Sequence, residues 1–368
     1  MRRVATVWLV IGTLVVSACG GGDDEETAPT TAAPREMTPK EVFDAARPAT
    51  VALFAKQGED DVGGTGVIFD AAKGLLLTNA HVVSGTAALR ARVNDQTEVP
   101  ARILATAPCE DLAVVQLTTV PPGLKAIPFG NSGAVQNQDE VVALGYPASF
   151  ANPAEQKLVS TSGTVQSPNV AAEPDPSLPR FPSAIQHSAT INPGNSGGPL
   201  LNARAELIGI NTLRNIGSRQ QPIQGQYYAI AIDHIKPLLP DLTAGRSQAD
   251  PGWSIAPFSQ VPLADVFEAT GYGTRAEGVQ ADQLLAANDI DGLFVFGANP
   301  DSPADDANIE LGDLIERIND VPVTSVKDVC AILQSASPGQ TLEVRGRYLT
   351  NEGPEQDFGD PWRTELTL

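Results

Sequence analysis

Short runs rich in Val, Ile and Leu recur from Thr50 to Leu117 and again from Asp139 to Ile232, each interrupted by Gly, Pro or Asn. This spacing constrains the fold more than any other feature. Closely spaced short strands with turn residues between them signal antiparallel barrels, whereas strands alternating with helices would signal a parallel sheet. Each block has room for about six strands, and about 190 residues together can bury a sizeable core. The turn-rich stretch from Pro121-Pro-Gly123 through Gly133 reads as the crossing between two barrels, and residues 233–245 as a closing helix.

Within the second block stands Pro193-Gly-Asn-Ser196-Gly-Gly-Pro199-Leu200. A serine flanked by glycines suits covalent acyl transfer. Gly194 and Gly197 permit a sharp turn and a close approach to substrate without a Cβ in the way. The same turn can aim the N–H groups of Gly194 and Ser196 at one point, where an oxyanion would develop. The plainer alternative is a Gly-rich turn with an incidental serine.

A serine hydroxyl needs a base, and the base needs an orienting group. The chain has only three histidines. His81 ends the run Gly74-Leu-Leu-Leu-Thr-Asn-Ala-His81 and is the candidate base; His187 and His234 read as surface or satisfied core residues. Asp111, immediately before the strand-like Leu112–Leu117, is the candidate orienter. Glu110 would point the opposite way on an extended chain. The order His, Asp, Ser belongs to the chymotrypsin architecture and differs from the subtilisin and α/β-hydrolase orders.

Gly63-Gly-Thr-Gly66, Leu77-Thr-Asn-Ala-His81-Val-Val, Asp111-Leu-Ala-Val-Val and Ile191-Asn-Pro-Gly-Asn-Ser196-Gly-Gly-Pro-Leu together resemble the HtrA/Deg family of serine proteases. Leu207-Ile-Gly-Ile-Asn-Thr212 and Tyr228-Ala-Ile-Ala-Ile232 extend the likeness over about residues 40–240. The resemblance implies a mostly β, chymotrypsin-like double barrel with its site between the barrels, regulation through PDZ domains and, in many members, a homotrimer. Carried over, His81 is the base, Asp111 its orienter, Ser196 the nucleophile, and the N–H groups of Gly194 and Ser196 the oxyanion hole. Thr190, six residues before the nucleophile, falls at the expected base of the primary substrate pocket, with Ile210 and Asn211. No carboxylate stands there, so cleavage after small or medium apolar residues is expected. The chain departs from the family at Ser188, often Asp in members, and in the long Pro-rich stretch Ser167–Pro182. The expected chemistry requires no cofactor and no metal.

The N-terminus reads as processing information. Arg2 and Arg3 precede a mostly apolar stretch from Val4 to Val16, and Val16-Ser-Ala-Cys19 resembles a bacterial lipobox. Residues 1–18 are then a signal peptide and Cys19 the lipidated residue anchoring the chain outside the cytoplasmic membrane. Secretion after cleavage elsewhere, or an uncleaved anchor, are the alternatives. Residues 19–40 hold too little apolar material to offset ordering entropy and read as a flexible tether. The formal net charge is −20, or −22 once Arg2 and Arg3 leave with the signal. That argues against nucleic-acid partners and against docking on anionic lipid. Cys109 and Cys330 remain, too few for a disulfide framework and in segments that read as different domains.

The protease domain is placed at 41–245 and a PDZ-like α+β domain at 250–368, with a polar Ser247–Gly252 boundary. Asp291-Gly-Leu-Phe-Val-Phe296, Asp301-Ser-Pro-Ala304 and Glu310-Leu-Gly-Asp-Leu-Ile-Glu-Arg-Ile-Asn319 resemble a PDZ domain; Val326–Gln334 has helical spacing and Gln340–Tyr348 reads as a final strand. Such domains add a peptide to a sheet edge and capture its carboxylate. Trp253-Ser254-Ile255 is the candidate carboxylate-binding turn, for apolar C-terminal peptides; a purely structural cap is the alternative. The expected function is a membrane-tethered serine endopeptidase acting on unfolded or exposed polypeptide. Its rivals are a latent protease working as a peptide-binding or chaperone-like protein, and an esterase.

Overall fold

Three apolar runs show how the pattern becomes structure. Leu75-Leu-Leu-Thr78 is buried on both faces and forms a central strand, whereas Ala88–Val93 begins with alternating exposed and buried side chains. Ser325 and Asp328 cap one another ahead of Val326, starting a helix whose Val326, Val329, Cys330 and Leu333 share one buried stripe. The computed structural model describes residues 35–368 apart from 58–59, 87, 96, 148–155, 173–175, 215–224, 271–272 and 350–358. Cys19 and the expected signal and tether up to residue 34 lie outside the described residues.

The first closed barrel comprises β1 (Thr50–Gln57), β2 (Asp60–Asp70), β3 (Leu75–Thr78), β4 (Ala88–Val93), β5 (Thr97–Ala107) and β6 (Leu112–Leu117). All pairs are antiparallel, in the order β1-β2-β3-β6-β5-β4. The second comprises β7 (Glu140–Gly145), β8 (Val159–Ala172), β9 (Phe181–His187), β10 (Pro199–Leu201), β11 (Leu207–Arg214) and β12 (Tyr227–Ala231), closed as β10-β11-β12-β9-β8-β7. Helix α1 (Pro39–Ala46), with Thr38 and Glu41 forming a capping box, packs against β7; α2 (Ala80–Val83) follows β3. The expected closing helix is two short helices, α3 (Ile232–Ile235) and α4 (Leu239–Thr243), joined through a 3₁₀ turn around Pro237.

Residues beyond 250 form a six-stranded sheet in which β13 (Trp253–Pro257) is an edge, followed by β14 (Leu293–Ala298), β15 (Asp313–Ile318), β17 (Thr341–Tyr348) and β18 (Pro361–Thr367); β16 (Val321–Pro322) pairs with β15. The strand expected to be last is therefore followed by another. Residues 257–290 hold a helical pair, α5 (Leu263–Thr270) and α6 (Arg275–Ala287), packed on each other. Short α7 (Pro303–Asp306) precedes β15, and α8 (Val326–Ser335) lies against β13. Glu36 to Leu368 form one compact unit. One apolar cluster spans the first barrel and the adjoining wall of the second, from Leu53 and Leu77 to Leu144 and Ile230. Each large aliphatic side chain buried there contributes roughly 2 kcal/mol. The PDZ cluster includes one protease residue, Cys109.

Candidate functional site

The first barrel supplies His81 and Asp111. The chain leaves β3 through extended Asn79 and makes one turn of helix, which brings the His81 ring over the barrel end. Asp111 closes the 3₁₀ turn Pro108–Glu110 in the left-handed conformation, φ +50°, which aspartate tolerates better than most residues. Its N–H donates to the Pro108 carbonyl at 3.0 Å, and its own carbonyl accepts from Asn79 Nδ2 at 3.0 Å.

The buried Asp111 carboxylate is fully used. Oδ1 accepts from His81 Nδ1 at 2.9 Å and from the His81 backbone N–H at 3.1 Å. Oδ2 lies 3.0 Å from the same Nδ1 and accepts from the Thr212 hydroxyl at 2.5 Å. This partner assigns the proton of neutral His81 to Nδ1 and leaves Nε2 as an acceptor. Desolvation pulls the His81 pKa down, but the charge of Asp111 and its hydrogen bond together outweigh it, and the pKa stands above the ordinary 6.5. The His81 side chain keeps 37% of its surface exposed, consistent with incomplete desolvation.

The second barrel supplies Ser196, in the turn leading into β10. Gly194 and Gly197 have φ of +94° and +82°. A Cβ on Gly197 would collide with the Thr65 carbonyl and the Thr78 hydroxyl of the first barrel. Thr65 of β2 clamps this turn. Its hydroxyl donates to the Gly194 carbonyl at 2.7 Å and accepts from the Tyr146 N–H at 2.9 Å, while its own N–H donates to the Ser196 carbonyl at 2.9 Å. The N–H groups of Gly194 and Ser196 have no acceptor among the described residues. Ser196 Oγ donates to the Thr212 carbonyl at 3.3 Å. Thr212 therefore touches both sides of the site. Sequence reasoning saw it only as the end of a strand-like run, because threonine is common at such positions.

The expected pocket residues divide. Thr190 is exposed, and its carbonyl accepts from Thr161 Oγ1 at 2.9 Å. Ile210 and Asn211 have no accessible surface. Asn211 Nδ2 donates to the Pro199 carbonyl at 2.9 Å, and its backbone exchanges hydrogen bonds with Gly197 and Gly198. These two brace the serine turn from inside the barrel wall, so only Thr190 of the three meets solvent. Ser188 pairs with Thr164 across β8 and β9.

His187 is buried in the second barrel with its ring 6.2 Å from Tyr227. Burial pushes its pKa down to about 3, against weaker opposing contributions from the Ala189 backbone and Asn211. Neither ring nitrogen has a partner in hydrogen-bonding geometry. His234 Nε2 lies 2.6 Å from Glu110 Oε2, and Glu110 Oε1 accepts from Gln334 Nε2 of α8 at 3.0 Å.

Two expectations about the C-terminal domain are corrected. Trp253-Ser254-Ile255 is not a turn but the start of β13, hydrogen-bonded to β14; the turn precedes it, with Gly252 at φ +82° donating to Asp250. Cys109 and Cys330 are joined by a disulfide spanning 221 residues, their Cα atoms 5.3 Å apart. Packing of the two domains creates that proximity, which spacing along the chain does not reveal. The Pro-rich stretch also reaches this junction, since the Val326 N–H donates to the Pro176 carbonyl at 2.9 Å. A cavity of about 150 Å³ lies between the domains and is lined by His81 and Asp111 on one side and by Trp253, Ser254, Val329 and Cys330 on the other.

Residues 64–210 match the family described as trypsin-like peptidase domain, and residues 294–345 match the PDZ domain family. The chain is 30% identical over 290 residues to the serine protease Do-like HtrA of Bacillus subtilis, covering 77% of this chain and 60% of that protein. It is 30% identical over 281 residues to the periplasmic serine endoprotease DegP of Escherichia coli, covering 76% and 53%. The chain thus spans roughly half to two thirds of the length of the curated relatives it matches. In overall fold it is similar to the HtrA-type protease AlgW solved with a tripeptide, at TM-score 0.50, 23% identity and coverage of 89% of this chain and 96% of that one. The chain is a homologue of the HtrA/DegP serine proteases, joining a trypsin-like peptidase domain to one PDZ domain.

Proposed function

We propose that this chain is a serine endopeptidase acting on unfolded or exposed polypeptide outside the cytoplasm, with Ser196 as nucleophile, His81 as base and Asp111 as its orienter. One observation carries the reading: the buried Asp111 carboxylate holds His81 Nδ1 at 2.9 Å, and Thr212 bonds both that carboxylate and the Ser196 hydroxyl. In the reaction the Ser196 hydroxyl turns from the Thr212 carbonyl toward His81 Nε2, gives up its proton and attacks the peptide carbonyl. The free N–H groups of Gly194 and Ser196 stabilise the tetrahedral oxyanion. His81 then protonates the leaving amine, and water hydrolyses the acyl-enzyme.

Thr190 at the pocket supports cleavage after small or medium apolar residues. Tethering through lipidated Cys19, a homotrimeric assembly and capture of apolar C-terminal peptides at the PDZ domain belong to the same proposal. Among the described residues no helix is long and apolar enough to cross a membrane.

The test is digestion of unfolded casein by the purified full chain beside Ser196→Ala, with cleavage sites mapped by mass spectrometry. Wild type should cleave, and the variant should lose up to about 10⁶-fold in kcat. The resting Ser196–Thr212 contact favours a second reading, a latent protease that works by binding peptide. Absence of cleavage by wild type, even with apolar C-terminal peptides present, would transfer the function to that reading. Strong preference for Arg at the mapped sites would overturn the pocket assignment.

A further inference from the structure

We propose that the Cys109–Cys330 disulfide is a thiol-exchange site, and that its reaction with a dithiol reductant frees the PDZ peptide groove from the catalytic face. The inference rests on the reading of β13 and α8 as the peptide groove. β13 is an edge of its sheet, and α8 packs beside it. Together they form the strand-addition site such a domain offers to a peptide. In this structure the groove borders the protease across a cavity that His81 and Asp111 also line.

The bond sits where a latch would act. Cys330 lies on the α8 wall of the groove, and Cys109 lies two residues before Asp111 in the turn that presents its carboxylate. Both cysteines line the cavity at 3% and 6% exposure, so the cavity is the route by which a small dithiol would approach them. The contacts that hold α8 to the protease beside this bond include the Val326 N–H to Pro176 and the Gln334 amide to Glu110. Partly exposed polar contacts of this kind are individually weak. In this proposal the covalent bond is the latch that keeps the groove closed.

The exchange balances with the reductant alone. One reductant thiolate attacks a protein sulfur, forming a mixed disulfide and expelling the other cysteine as a thiolate. The second reductant thiol displaces the first cysteine and closes the reductant's own disulfide. Two electrons pass to the protein, and the protons of the two reductant thiols end on Cys109 and Cys330.

The experiment uses the full chain carrying Ser196→Ala, so that the probe survives. The probe is a fluorescein-labelled decapeptide with an apolar, free C-terminus, followed by anisotropy against its C-terminally amidated twin. A groove open in fewer than about one molecule in ten weakens apparent affinity at least tenfold. Reduction with dithiothreitol should therefore tighten binding of the free-carboxylate peptide by about tenfold or more, and reoxidation should reverse it. The Cys109→Ser, Cys330→Ser double variant should match the reduced protein and ignore reductant; reduction and reoxidation of the protein with both cysteines decides the matter should that variant not fold. Equal affinity before and after reduction, with the thiols verified by alkylation, overturns the proposal. So does binding by neither form, or two free thiols in the unreduced protein. Casein cleavage by the Ser196 enzyme is scored separately: its absence under both conditions sinks the endopeptidase reading and leaves the groove result standing.

Discussion

The seam between the two barrels is stitched by short, buried hydrogen bonds that converge on Thr65, whereas the seam between the protease and the PDZ sheet joins a disulfide, apolar packing around Cys109 and polar contacts such as Gln334 to Glu110. At the first seam every donor and acceptor is desolvated, so losing one partner leaves another unpaired, which costs about 1–3 kcal/mol. At the second, solvent competes for the Gln334–Glu110 contact, and a covalent bond spans the junction. The proposed catalytic residues lie at the first seam, where Thr65 bonds the serine turn. The proposed peptide groove lies at the second seam, beside the disulfide.

This contrast can be broken or sharpened by substitution. The largest effect should come from Gly197→Ala, which places a Cβ against the Thr65 carbonyl at a positive φ. Strain and collision together should cost about 3–5 kcal/mol and abolish casein cleavage; a variant that melts and cleaves like wild type would show the barrel seam to be compliant. Thr212→Val comes next. It removes a hydrogen bond to the Asp111 carboxylate, which is worth about 1.5–3 kcal/mol, so kcat should fall about 10- to 100-fold with little change in KM.

The pH profile should then shift modestly. Protonated His81 cannot accept the serine proton, so activity rises as pH climbs through its pKa in the folded enzyme. That pKa is raised by Asp111 despite desolvation, so the acid limb of kcat/KM should have its midpoint above 6.5. A midpoint below 6.5 would mean that desolvation wins over the carboxylate. The smallest effect is expected from Glu110→Gln, which removes the charge facing His234 at the PDZ seam. Urea unfolding at neutral pH should register less than about 1 kcal/mol. A loss several times larger would show that the polar contacts, not the disulfide, carry that seam.

Much of the catalytic seam was legible before any coordinates. His81, Asp111 and Ser196 each sit in a short segment whose neighbours mark them as candidates, only three histidines compete for the base, and the structure brings His81 and Asp111 into contact. The glycines around Ser196 were legible for turn geometry, but their close fit against Thr65 and Thr78 was not, because those residues lie on another barrel. Ile210 and Asn211 are expected at the substrate pocket from their place in the chain, and in the structure both side chains are buried in β11. Trp253-Ser-Ile255 is the candidate carboxylate-binding turn on the PDZ resemblance, whereas the turn ends at Gly252 and these residues begin β13. Cys109 and Cys330 looked unrelated because 221 residues separate them.

What the sequence determined by itself was local: which runs become strands, where the glycine turn before β10 falls, and which side chains are candidates for nucleophile, base and carboxylate. Hydrophobic periodicity and glycine placement act over a few residues and can be read there. What only the tertiary structure decided was adjacency across elements: Thr212 between Asp111 and Ser196, Thr65 beneath the serine turn, and the PDZ groove bolted through Cys330 to the turn that carries Asp111. Those contacts depend on how barrels and sheet pack, and packing is set by the summed burial of many side chains rather than by any one segment.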